Sequence, residues 1–189
     1  KEILDPWYSH GLDRALNNKQ YKLCGFLNGI DVDTFDPEKD PLLVKNFSTK
    51  NLKGKAECKK ALLEELHLQE GDEPVIGIIT RFVSHKGIDL IKYVFEDMVN
   101  MGCKFAILGS GEKIYEDFFK EMAWRYPDKV SATIGFLPDL ARRIYSSADM
   151  FLMPSQSEPC GLAQMISLRY GTIPIVRETG GLKDTISDS

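Results

Sequence analysis

The chain has 189 residues, with 24 Lys and Arg against 28 Asp and Glu for a formal net charge of −4. That is the length of one domain, able to bury about 70% of its unfolded surface without disulfide or metal staples. With 43% hydrophobic and 28% charged residues it is no disordered chain, its mild acidity argues against nonspecific nucleic-acid binding, and no apolar run reaches the ~18 residues of a membrane span.

In chain order, residues 1–55 read as an irregular interdomain segment. Asp5-Pro6, Asn17-Asn18, Asn28-Gly29, Asp36-Pro37 and Asp40-Pro41 are turn signals, and residues 24–27 are expected to form one short strand. Regular structure is predicted from about Ala56, where Cys58, Ala61, Leu62 and Leu66 repeat at helical spacing. Strands follow at 75–80, 105–108, 130–134, 150–153 and 172–176. Between them lie helical faces: Ile91, Val94, Phe95, Met98 and Val99, then Tyr115, Phe118, Phe119 and Met122. A short helix near 140–146, another through 163–169 and a last one opening at Gly181 complete the alternation. Strands without polar alternation are covered on both faces, so residues 56–189 predict an α/β domain with a Rossmann-like, doubly wound parallel sheet. Ligands of such sheets bind beyond the carboxyl ends of the strands, which directs attention to loops 81–87, 109–111, 135–138, 154–161 and 177–181.

The loop after the first strand carries Arg81 and Lys86. They suit a pyrophosphate, with Arg as a bidentate grip and Lys as a movable charge, or they are ordinary solvated cations. Gly109-Ser110-Gly111 reads as a tight strand-to-helix turn. Phe136 beyond the third strand is either a plug beneath its loop, the favoured reading, or a platform for a nucleobase. In Pro154-Ser155-Gln156-Ser157-Glu158-Pro159-Cys160-Gly161-Leu162, Ser155 and Glu158 match a capping box. That would put Pro159 inside a helix, so a helix starting at Pro159 is preferred, leaving Glu158 at its mouth to accept hydrogen bonds from sugar hydroxyls. Thr179 can cap the last helix, with Gly180 and Gly181 exposing N–H donors.

Cys24, Cys58, Cys103 and Cys160 show no metal-ligand spacing, nor do the three histidines. Free thiols and a reducing compartment are expected, without a metal.

Taken together, several segments resemble the bacterial glycogen synthases and plant starch synthases. Glu158-Pro159-Cys160-Gly161-Leu162-Ala163-Gln164-Met165 with Arg169-Tyr170-Gly171-Thr172 resembles their signature. Residues 177–185, Arg-Glu-Thr-Gly-Gly-Leu-Lys-Asp-Thr, resemble a second Gly-rich block. Leu27-Asn28-Gly29-Ile30-Asp31, Arg81 with Lys86-Gly87, and Met153-Pro154-Ser155 occur in the expected order. The resemblance implies the C-terminal half of a GT-B glycosyltransferase. Such an enzyme moves glucose, with retention, from ADP-glucose to the non-reducing end of an α-1,4-glucan, UDP-glucose being the weaker donor candidate. It implies roles too: Arg81 and Lys86 on the leaving diphosphate, and Glu158 on the sugar. The N–H groups of Gly161, Leu162, Gly180 and Gly181 would hold sugar and phosphates, and Phe136 would lie against adenine. It further implies no cofactor, a cytoplasmic or plastid location, and an N-terminal domain beyond this stretch that completes the site. The chain departs from the family at Gln156-Ser157 (usually Arg-Phe), Phe136 (Tyr), Phe35 (Trp) and His85 (Gln). Asp31-Val32-Asp33 has the D-x-D form that holds a metal in some glycosyltransferases, but here it reads as a turn. A relative using another nucleotide sugar, and a non-catalytic sugar- or nucleotide-binding module, are the alternatives.

Overall fold

The computed structural model describes residues 2–188. In chain order its helices are α1 (Asp13–Asn17), α2 (Lys53–Glu65), α3 (Ile88–Asn100), α4 (Lys113–Arg125), α5 (Pro138–Ser147), α6 (Ala163–Arg169) and α7 (Gly180–Thr185). The apolar runs become strands β1 (Val75–Phe82), β2 (Lys104–Gly111), β3 (Val130–Ile134), β4 (Met150–Met153) and β5 (Ile173–Val176). All pair in parallel, in the order β3-β2-β1-β4-β5. This is the doubly wound α/β arrangement expected from the sequence.

Alternate residues of β1 serve two different cores, which is why the strand shows no polar alternation. Ile76, Ile78 and Phe82 join Phe105 and Ile107 of β2 against Ile91 and Phe95 of α3 and Phe119 and Met122 of α4. Val75, Ala106 and Leu108 face the opposite way, onto Leu62 and Leu63 of α2 and Leu140 and Ile144 of α5. A third cluster, with Tyr145, Phe151, Ile166 and Tyr170, lies toward β4 and takes in Leu43 and Phe47.

The sheet also creates its own crevice. β1 pairs with β2 along its full length, Val75 opposite Lys104 through Phe82 opposite Gly111, but it meets β4 only at Ile76–Met150 and Gly77–Phe151. Beyond Gly77 the two strands run on without a shared ladder. The strand order reverses at this same point, so the loops after β1 and β4 flank the split.

Four expectations need correction. Gly109-Ser110-Gly111 is not a turn but the end of β2, pairing with Thr80, Arg81 and Phe82, so β1 runs two residues past 80. A Cβ at Gly109 would overlap the Thr80 carbonyl, and one at Gly111 the Phe82 carbonyl. Residues 24–27 are not a strand; they have no neighbouring strand to pair with. α2 begins at Lys53, ahead of Ala56. Residues 23–52 hold no helix and no strand of the sheet, but a stretch of them is firmly docked. Asp40 is 2% exposed and accepts hydrogen bonds from the Tyr170 hydroxyl and from Leu42 N–H (3.0 Å). Arg142 lies 3.5 Å from the same carboxylate, and Arg169 Nε donates to the Phe35 carbonyl (3.0 Å).

Asp31 is a turn residue, as expected. Its Oδ1 accepts from the N–H groups of Asp33 and Thr34 (both 3.0 Å) and its Oδ2 from the Thr34 hydroxyl (2.7 Å). Among the described residues there is no cluster of metal-ligating side chains, no helix is long and apolar enough to cross a membrane, and all four cysteines are free thiols.

Candidate active site

Three loops meet at the carboxyl ends of β1, β4 and β5, and glycines permit it. After β1 the chain makes a tight turn, with Lys86 N–H donating to Val83 O (3.0 Å) and Gly87 N–H to Ser84 O (2.9 Å). Gly87 has φ 76°, and a Cβ there would overlap the Pro154 carbonyl of the loop after β4. Gln156 N–H then donates to the His85 carbonyl (2.8 Å), zipping the first two loops together. The third loop is bound as closely. Gly181 N–H donates to the Glu158 main-chain carbonyl (2.9 Å), and a Cβ at Gly180, where φ is 46°, would overlap that same carbonyl. A Cβ at either glycine would push neighbouring loops away from each other.

Within this frame Lys86 and Glu158 face each other. Lys86 Nζ donates to Glu158 Oε2 at 2.5 Å, and the two side chains are 14% and 10% exposed. Two charges removed this far from water attract strongly, and each would be costly without the other. Residues 72 positions apart in sequence thus form one charge pair at the point where strand order reverses.

Arg81 is the last residue but one of β1, opposite Ser110, rather than in the loop. It is exposed, and it makes no ion pair among the described residues. Phe136 follows β3 and is 87% exposed, so it is not a plug beneath its loop. With Gly135 N–H bonded to Gly109 O (2.9 Å), the ring stands free at the outer end of the same sheet edge.

The segment after β4 differs most from expectation. α6 starts at Ala163, not Pro159, so Glu158 is not at its mouth. Gly161 turns to φ 70°, a left-handed conformation that interrupts any helix begun at Pro159. Gln164, fully buried, folds back so that its Nε2 donates to the carbonyls of Cys160 (3.0 Å) and Gly161 (2.9 Å) and to Thr185 Oγ1 (3.0 Å). The capping box is absent too: Ser155 is buried and its hydroxyl has no partner among the described residues. Leu162 is the residue before α6 and is 45% exposed. Thr179 stands at the start of α7, but its hydroxyl donates to Gln156 O (3.3 Å) rather than capping its own helix. The Gly181 amide, expected to hold a ligand, is engaged by Glu158 instead.

A cleft of about 550 Å³ opens beside Glu158, lined by Glu158, Thr179 and Gly180 together with Tyr8, His10 and Phe26 of the N-terminal segment; Lys86, Arg81 and Phe136 are not among its lining residues. Tyr8, His10 and Phe26 were invisible to sequence reading, because the irregular segment that carries them has no periodicity to assign it a face. Gln164 could have been suspected only as a polar residue inside an apolar helical stretch.

Comparison with known proteins agrees with this fold. The chain is 50% identical over 187 residues to a glycogen synthase of Clostridium acetobutylicum, covering 98% of this chain and 39% of that protein. It is 50% identical over 189 residues to a glycogen synthase of Thermosipho africanus, covering 100% of this chain and 39% of that protein. It thus spans about two fifths of the curated relatives it matches. Among solved structures, the catalytic domain of starch synthase IV from Arabidopsis thaliana, bound to ADP and acarbose, superposes with a TM-score of 0.94 at 38% identity. That match covers 99% of this chain and 39% of the other. The sequence pattern of the family described as "Glycosyl transferases group 1" matches residues 60–189, and the chain belongs to that family.

Proposed function

We propose that this chain is the donor-binding portion of a glycogen synthase-type glucosyltransferase, one that moves glucose from ADP-glucose to the non-reducing end of an α-1,4-glucan with retention. The observation that carries the reading is the Lys86–Glu158 pair at the reversal of strand order, in a chain similar throughout to glycogen synthases and to an ADP-bound starch synthase.

The chemistry suits these residues. As the glycosidic bond to the diphosphate breaks, negative charge grows on the leaving group and positive charge on the sugar. Fixed cations aimed at the leaving group stabilise that transition state more than the ground state. Arg81 is free to swing onto a phosphate, and Lys86 lies one loop away. Glu158 can accept hydrogen bonds from sugar hydroxyls and offset charge on the anomeric carbon. Main-chain N–H groups of Gly161, Leu162 and Gly180 add donors, and Phe136 offers a face for adenine. The glucan and the acceptor-side residues belong to a further domain of the complete protein, which operates in the cytoplasm or a plastid.

In the complete enzyme, Arg81→Ala and Lys86→Ala together should raise the barrier by about 5 kcal/mol, read from kcat/KM for ADP-glucose. Unchanged turnover in both would remove them from the diphosphate site. Calorimetry with ADP-glucose, UDP-glucose and GDP-mannose separates the donor alternatives, with ADP-glucose expected to bind best. A complete enzyme that binds nucleotide sugar but transfers no glucose would favour a non-catalytic module.

A further inference from the structure

The Lys86–Glu158 contact raises a question that the donor-binding reading leaves open. A diphosphate arriving at Lys86 meets a cation already committed to a carboxylate at 2.5 Å. The surrounding main chain has little freedom to adjust. Gln156 is tied to His85, the Glu158 carbonyl is tied to Gly181, and Pro159 follows at once. The side chains are the movable elements, and a lysine, with its four-carbon stem and point charge, can change partners without moving its loop.

We propose that Lys86 and Glu158 form an exchange pair. An incoming diphosphate takes the Lys86 ammonium from Glu158, and the carboxylate so released is the one that accepts the sugar hydroxyls. The proposal rests on the donor-binding reading. It adds that phosphate recognition and sugar recognition are energetically coupled through one ion pair, with Glu158 setting back nucleotide affinity until the sugar is present to occupy it. Coupling of this kind is a free energy shared between two subsites, so it is measurable from either one. Arg81, which has no ion-pair partner among the described residues, lies outside the exchange.

The test is calorimetric titration of ADP, which carries the diphosphate but no sugar, into the 189-residue chain and its variants. Glu158→Gln, nearly isosteric, should bind ADP about tenfold tighter than the parent. In a Lys86→Met background the same Glu158→Gln change should leave ADP affinity unaltered. A gain that persists without Lys86 would show simple repulsion between carboxylate and phosphate, and no gain at all would show that the pair does not compete. Either result overturns the exchange while leaving donor binding intact, provided that the parent binds ADP and Arg81→Ala weakens it. A parent chain that fails to bind ADP overturns the donor reading and the exchange together. The unmutated chain gives an independent measurement, guarding against variants that misfold. An isotope-labelled Glu158 carboxyl resonance should move on addition of ADP as Lys86 departs; a resonance that stays put at ADP saturation contradicts the exchange.

Discussion

Single residues far from the cleft hold the frame that positions it, and Lys55 shows how. Its ammonium donates to the carbonyls of Ser146 (3.1 Å) and Tyr170 (3.0 Å) and to the Thr172 hydroxyl (2.8 Å), tying the ends of α5 and α6 to the start of β5. Burial draws its pKa down from 10.5 to about 8, against the pull of Asp149. Between those two values the unfolded chain holds the proton more tightly than the folded one, so the contribution of Lys55 to stability rises with pH across that window. Cys58 and Cys103 act in the opposite sense, because burial raises both thiols. The comparison must therefore be differential: relative to Lys55→Met, the parent should gain stability in urea as pH rises from 8 towards 10.5. A constant difference would contradict the assignment. Glycine positions give a second contrast. Gly87→Ala forces a left-handed backbone and a clash with Pro154, and should cost more than about 1 kcal/mol. Gly25→Ala meets nothing within 4 Å and should leave the denaturation midpoint unchanged.

At the scale of elements, the strands were legible because each is an unbroken apolar run, and the helices because their buried faces repeat at helical spacing. Boundaries failed where a cause lay elsewhere in the chain. The extra length of β1 comes from glycines in β2 that admit Phe82, and the late start of α6 comes from Gly161 and the back-folded Gln164. The candidate site was legible in its residue types but not in its contacts. Arg81, Lys86 and Glu158 could be picked out, yet nothing local says that Lys86 and Glu158 meet or that the Gly181 amide is already engaged. The docking of the irregular segment was hidden for the same reason, since it depends on Asp40, Arg142, Arg169 and Tyr170 rather than on any periodic face. Tyr170→Phe removes a donor from the buried Asp40 carboxylate and should cost about 1–3 kcal/mol. Faster proteolytic cleavage within residues 30–51 should accompany the loss; an unchanged midpoint and cleavage rate would show that the tyrosine hydroxyl does not hold the segment.

For the whole molecule, a net charge of −4 is compatible with the proposed anionic donor, because such recognition would be local: Arg81 and Lys86 lie beside the split between β1 and β4. The chain spans about two fifths of the glycogen synthases it matches, and donor binding is the share of the reaction proposed for it. Backbone amide resonances recorded during an ADP-glucose titration test that claim directly. The expected result is saturable shifts in residues 83–87, 154–162 and 177–181 and at Phe136, with the amino ends of the strands undisturbed. Shifts centred elsewhere, or none at millimolar ligand, would contradict it.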